Sequence, residues 1–416
     1  MNIIKWLGAE LFFVISIFVT ILFGMKSPEF AHINHLSSFQ VSILSGSFFI
    51  CFAISQFFTG ALIMRRPKFY LCSVSIISAI CLIIFSITSN FYLLVIARCF
   101  LGLCFGFTLI NVFYVIQTFF PREHFSLWTS ISLLIPNLFS AAIAMFFNSE
   151  ISSIAYSALF SSFAFALLIN GIFFYFTIDR TKSSNLPNKV FMFADSLSLL
   201  KNRGFWIGLI FFMGLFTGII SFSDLFNISY QIDVFSRSNS SAIQINAFIP
   251  LGVGIGGLVA GILINYIPTR YLALLFSSIA LVSLYMILLT RFPINSANEF
   301  AMCFNFLFGF GCGASMLAFQ QTQNVIEDIP SRLVANSIIL SLTYIANGLV
   351  LQPLITDIIS TTYAKPGLIL FGNYYNFFNH TTTNWHKYQS GLDILLVLVF
   401  LSFVSGFLFK QPRLKQ

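Results

Sequence analysis

The run Phe91-Tyr92-Leu93-Leu94-Val95-Ile96-Ala97-Arg98-Cys99-Phe100-Leu101-Gly102 continues through Gly106 and Asn111 to Thr118 with one charged residue, Arg98. About twenty helical residues rise about 30 Å, the thickness of a bilayer's hydrocarbon core. The run is long enough to cross a membrane. It lacks the apolar/polar alternation of a barrel strand, so it reads as a helix.

Blocks of the same kind recur on either side of it. They read as spans over 6–27, 39–63, 69–88, 91–118, 126–147 and 152–178. After a polar stretch at 179–204, six more follow over 205–231, 242–266, 270–290, 298–324, 333–359 and 391–409. The predicted class is an all-α integral membrane protein of twelve transmembrane helices. Composition agrees, because 58% of the 416 residues are hydrophobic and 8% charged. A soluble domain carries about 25% charged residues, and so few charges could not cover its surface. The first block resembles a signal sequence in outline, but it is too long and no small-residue cleavage site follows, so it reads as a retained span. One loop is long, 360–390, and it is rich in Asn, Thr and aromatic residues.

The net charge of +8 is dispersed between spans. It therefore reads as topology and not as a nucleic-acid surface. With the amino terminus in the cytoplasm, 15 of the 21 Lys and Arg fall on the cytoplasmic side and five outside, with Arg98 within a span. Both termini are then expected inside. All seven cysteines lie in apolar blocks, where Cys behaves as a small hydrophobe. No disulfide, metal site or cofactor is predicted.

Two segments repeat. Gly60-Ala61-Leu62-Ile63-Met64-Arg65-Arg66-Pro67-Lys68 follows the second span, and Gly261-Ile262-Leu263-Ile264-Asn265-Tyr266-Ile267-Pro268-Thr269-Arg270 follows the eighth, with the glycines 201 residues apart. Two six-helix halves related by an axis along the membrane normal would give this pattern. The expected division is a bundle over 1–178, a cytoplasmic linker over 179–204 and a bundle over 205–416.

These segments resemble the cytoplasmic loop signature of the major facilitator superfamily, Gly-x-Leu-x-Asp-Arg-x-Gly-Arg-Arg. Leu62, Arg65 and Lys68 fit, while Met64 and Asn265 replace the acid. Arg98-Cys99-Phe100-Leu101-Gly102 resembles the family's fourth-helix Arg-x-x-x-Gly motif, and Pro121-Arg122-Glu123-His124 the loop after it. The resemblance implies two six-helix bundles around a cavity and transport by alternating access. It makes Gly60, Arg65, Lys68, Gly261 and Arg270 candidate gating-loop residues. The missing acid puts the family's charge latch in question. A narrower resemblance rests on Gln56, Lys26-Ser27-Pro28, the Gly309–Glu327 segment and Gln352-Pro353. It is to a branch that includes phagosomal amino-acid transporters and is similar to lysosomal dipeptide carriers.

A charge at the centre of a lipid-embedded helix costs roughly 2.5–3.5 kcal/mol, so each interior charge needs a reason. Arg98 is expected to bind a carboxylate or sense proton release nearby, unless it is pinned structurally to carbonyls of a neighbouring helix. Asp224 shares a polar stripe with Ser221, Asn227 and Gln231 at helical spacing. It could hold an ammonium or carry the coupling proton, unless the span ends early and leaves it among headgroups. Glu10 stands about one turn into the first span, which favours an interfacial position over a proton carrier. The remaining acids, Asp233 and Asp393 among them, read as loop or span-end residues. Lys26 either attracts anions or snorkels from a helix end. Asn111 and Tyr114 on the fourth span, and Tyr344 and Asn347 on the eleventh, are candidate solute contacts or interhelical glue. Gly252 with Gly256, Gly257 with Gly261, and Gly102 with Gly106 read as close-packing pairs.

The sequence therefore predicts a non-enzymatic secondary transporter for a small polar solute, coupled to protons. Arg98 and Asp224 on different helices would suit the two ends of an amino-acid or peptide zwitterion. An exporter of the same fold is the rival, disfavoured because the fifth span has Pro136 without the exporters' glycines. A non-transporting receptor is the rival from another class. A monomer in a bacterial inner membrane is expected.

Overall fold

The computed structural model describes residues 2–147, 154–178, 200–289, 297–326, 328–361 and 383–409. Residues 179–199 of the expected linker and 362–382 of the aromatic loop lie outside them. Among the described residues twelve helices are long and apolar enough to cross a membrane: α1 (Asn2–Phe23), α2 (Ile43–Arg65), α3 (Pro67–Ile87), α4 (Phe91–Phe119), α5 (Arg122–Met145), α6 (Tyr156–Thr177), α7 (Arg203–Phe235), α8 (Asn239–Leu263), α9 (Thr269–Leu288), α10 (Asn298–Val325), α11 (Ile329–Ile359) and α12 (Tyr388–Gly406).

Local chemistry sets the helix ends. The helix that contains α2 begins at a capping box. The Ser37 hydroxyl accepts from the Gln40 N–H, and the Gln40 side chain accepts from the Ser37 N–H. The Asn90 side chain accepts from the N–H groups of Tyr92 and Leu93 at the start of α4. Pro67 opens α3, where the missing N–H has no intrahelical acceptor to lose. Ser236, at φ 54° in the left-handed region, ends α7.

One boundary corrects the sequence reading. The first helix continues past Phe23 to Ile33, carrying Lys26 and Pro28 within it. Lys26 is therefore not a helix-end residue.

Three spans widen locally into π-helix, at Ile143–Phe147 in α5, Ile219–Phe226 in α7 and Ala346–Leu351 in α11. Such turns insert a residue and rotate everything beyond them.

The chain gathers into two compact units. One comprises Met1–Ser132, Phe147–Asn202 and Ile326–Leu342, the other Leu133–Phe146, Arg203–Val325 and Thr343–Gln416. In the first, Phe30 stacks on Phe85 at 4.6 Å and meets Tyr156 edge-on. A Cβ on Gly102 or Gly106 would collide with α2, so α2 and α4 touch backbone to backbone there. The second unit repeats the device, because a Cβ on Gly252 or Gly256 would strike the α10 backbone at Phe306 or Phe310. These glycines serve packing. The outer faces are apolar. Ile76, Ile80 and Ile83 on α3, and Phe165, Ile169 and Ile172 on α6, are exposed at one-turn intervals, as lipid contact requires.

Candidate functional site

The second unit holds a buried polar cluster built on α7. Ser221, Asn227 and Gln231 are all buried, but Asp224 is exposed. The expectation of a single stripe fails because Ile219–Phe226 is π-helical. More than 3.6 residues fill each turn there, so a three-residue step no longer returns to the same face.

Two groupings result. Toward α11, the Ser221 hydroxyl donates to Asn347 Oδ1 at 2.6 Å. Asp224 lies close enough to Tyr344 for the two to interact electrostatically. Tyr344 is fixed edge-on against Phe216, with ring centroids 5.6 Å apart. Three of the residues singled out from sequence, Asp224, Tyr344 and Asn347, thus lie with Ser221 on neighbouring stretches of α7 and α11, with Ser221 buried and Asp224 exposed.

The fourth, Asn227, belongs to the other grouping. Its Nδ2 donates to Asn246 on α8 at 2.8 Å and to Asn305 on α10 at 2.9 Å. Its Oδ1 accepts from Gln231 at 3.0 Å. Gln231 Oε1 in turn accepts from Arg237, which also donates to Asn298 at 3.0 Å. Sequence reasoning missed Asn246 and Asn305. A lone Asn in an apolar block carries no local signal of a partner two helices away.

Arg98 belongs to the first unit and is 3% exposed. Its described contacts are aromatic. The guanidinium lies 3.4 Å from the ring centre of Phe23, with Phe48 at 5.1 Å and Phe85 at 5.3 Å. Aromatic faces carry negative potential and meet a flat cation well. Its Nε has no hydrogen-bond partner.

Lys26 is buried and pairs with Glu29 at 2.7 Å, while Glu29 accepts from the Tyr156 N–H. That bond to Lys26 holds the Glu29 carboxyl below its ordinary range.

Glu10 is 3% exposed, on the face of α1 that also buries Lys5, Trp6 and Ala9, while Ile3, Ile4 and Leu7 are exposed. Neither carboxyl oxygen has a hydrogen-bond partner. The neighbouring Ser132 hydroxyl accepts from Trp6 at 2.7 Å. Asp393 is likewise buried within α12, although the sequence placed it at a span end. Its Oδ2 has no partner.

Asn111 and Tyr114 are fully buried on α4, and both polar atoms of Asn111 lack a partner. They stand about 20 Å along the helix from Arg98. Among the loop candidates, Arg65 is exposed, Lys68 Nζ stands over the Tyr175 ring at 4.2 Å, and Gly261 is buried. The Arg270 guanidinium lies 6.0 Å from the Phe407 ring centre. Gly60 packs against the start of α11. Its N–H donates to Ser337 Oγ at 2.8 Å, and the Ser341 hydroxyl donates to the Ala53 carbonyl at 2.8 Å.

With twelve spans and these motifs in place, comparison with known proteins decides the family. The model of the Major Facilitator Superfamily matches residues 11–351. The chain belongs to that superfamily. The fold agrees with the crystal structure of a bacterial homologue of the human lysosomal transporter Spinster, solved in an inward-facing and unoccupied conformation. The TM-score is 0.58 at 15% identity, covering 98% of this chain and 97% of that one. No curated protein matches the sequence. The chain is therefore a multi-pass membrane protein and a superfamily transporter, not an enzyme, and a carrier of this type moves a small molecule.

Proposed function

We propose that this superfamily member takes up an amino acid or short peptide together with protons, as a monomer in a bacterial inner membrane with both termini cytoplasmic. The observation that carries the reading is the grouping of Ser221, Asp224, Tyr344 and Asn347. It offers one anionic group and several neutral hydrogen-bonding groups on two helices widened at that place. A carboxylate among neutral donors and acceptors suits an ammonium with polar neighbours. Glu10 and Asp224 are the proton-carrying candidates, because a carboxyl that is wetted and sealed in turn exchanges a proton with the solution.

Arg98 contributes through the edge of its guanidinium, since its face is taken by Phe23. It is the candidate for an anionic group of the solute. Gly60, with Ser337 and Ser341, supplies the gating contact in place of the family's charge latch.

The test is uptake of labelled amino acids and dipeptides into proteoliposomes, with and without an inward proton gradient. The reading expects accumulation driven by the gradient and lost in Asp224→Asn and Arg98→Ala. Uptake that ignores the gradient, or that survives both substitutions, defeats it.

A further inference from the structure

Hydrogen-bond chemistry alone fixes the orientation of the amides in the second unit. Arginine has only donors, so the Gln231 oxygen must face Arg237. The Gln231 NH2 is then left for Asn227 Oδ1, and the Asn227 NH2 for the oxygens of Asn246 and Asn305. The far end agrees independently. The Ala301 carbonyl can only accept, and it takes Asn305 Nδ2 at 2.7 Å, which turns the Asn305 oxygen back toward Asn227. A donor-only cation and an acceptor-only carbonyl impose the same direction on every amide between them.

Asn246 is where this relay ends without a protein acceptor. Its oxygen is used inward, so its Nδ2 points away from the relay. Asn227 and Asn305 are fully buried and Asn246 only partly. Among the described residues no acceptor meets that Nδ2. An amide donor turned to lipid costs several kcal/mol, so this position suits a polar occupant. Each bond of the chain polarises the next, and the chain starts at a cation, so the terminal N–H is strengthened toward an electron-rich oxygen.

We propose that Asn246 is a solute-binding residue whose Nδ2 donates to a carboxylate or carbonyl oxygen of the carried molecule. Arg237, Gln231, Asn227 and Asn305 are positioning residues behind it. The proposal rests on the uptake reading above and deepens it by naming the group recognised.

The experiment measures binding to the purified full-length protein by ligand-dependent thermal unfolding, using three pairs of probes. Norvaline against butylamine isolates the backbone carboxylate. Glutamine against norvaline isolates a side-chain oxygen. Alanyl-alanine against its analogue with the peptide C=O reduced to CH2 tests a peptide carbonyl. In the wild type, the oxygen-bearing member of at least one pair should bind tenfold or more tightly, because a site built around a donor rejects the analogue lacking its partner.

Asn246→Asp keeps an oxygen for Asn227 and turns a second oxygen toward the solute. It should reduce that preference to about twofold or less while the weaker member binds as before. Asn246→Ala is the second variant should the aspartate not fold, and it should also remove the preference. Arg237→Gln should reduce it partially. A merely structural Asn246 would lower the affinity of both members alike.

If amino acids are transported yet the preference survives both Asn246 variants, this inference fails and the uptake reading stands. If valerate, added as a carboxylate without an ammonium, binds while the amino acids and the dipeptide do not, and Asn246→Asp abolishes that binding, the inference holds and the substrate reading fails. Binding of none of the probes sinks both.

Discussion

The Ser337 hydroxyl accepts a 2.8 Å hydrogen bond from the backbone N–H of Gly60, 277 positions earlier in the chain. Contact this close is possible only because Gly60 has no side chain. A Cβ there would lie 2.6 Å from the Leu333 carbonyl oxygen, which is backbone and cannot rotate away.

Gly60→Val should therefore push α2 off the first turns of α11. The overpacking should cost about 1–3 kcal/mol, and transport should fall well below wild type. Ser337→Ala removes a single hydrogen bond and should cost about 1 kcal/mol or less. Thermal unfolding and uptake measured on the two variants check this. Equal effects would mean that the close approach does not matter.

Asn227 is the hub of the amide relay, and replacing it strands its partners. In Asn227→Ala, Gln231 Nε2 and the oxygens of Asn246 and Asn305 all lose a bond while buried or partly buried. The expected loss is about 1–3 kcal/mol. Asn305→Ala, which removes a peripheral member, should cost less. The order of melting temperatures, Asn227→Ala below Asn305→Ala below wild type, is the measurement.

Arg98 tests whether ring contact or charge governs that position. Arg98→Lys keeps the charge but replaces a flat, weakly hydrated cation by a compact ammonium that stacks poorly on Phe23. A stability loss of about 1–2 kcal/mol is expected. Phe23→Leu should lower stability by a similar amount, and the double variant should be less than additive because the two changes remove one interaction. Additive losses measured by thermal unfolding would show that the contact contributes nothing.

Coupling separates the two acids. Asp224→Asn should lose both binding and gradient-driven accumulation. Glu10→Gln, buried in the other unit, should retain solute exchange within about threefold while losing accumulation against a gradient, since it alters the proton step alone. Exchange and gradient-driven uptake, measured on the same proteoliposomes, distinguish them. A Glu10→Gln protein that still concentrates solute removes Glu10 from the mechanism.

Much of the architecture follows from composition and spacing. A backbone in hydrocarbon must satisfy its own hydrogen bonds, so each apolar block near twenty residues has one permitted conformation. Twelve helices and their approximate bounds were legible for that reason, and the superfamily through the loop segments after Gly60 and Gly261 and the Arg98–Gly102 motif. The glycine pairs of α8 were legible too, because only a missing side chain lets two backbones touch. The pairing of polar groups was not. Asp224 left the stripe drawn through Ser221, Asn227 and Gln231 because α7 widens over Ile219–Phe226, and no residue in that segment announces the extra turn.

Glu10 and Asp393 lie near the ends of their apolar blocks, yet both are buried. Burial depends on what packs around a helix end. Arg98 stands against three rings, supplied by helices that its own sequence neighbourhood does not name. The linear chain determines which segments enter the bilayer, because that free energy is a local sum over residues. Which side chains face one another was decided only by the packed helices, because those interactions join positions up to hundreds of residues apart.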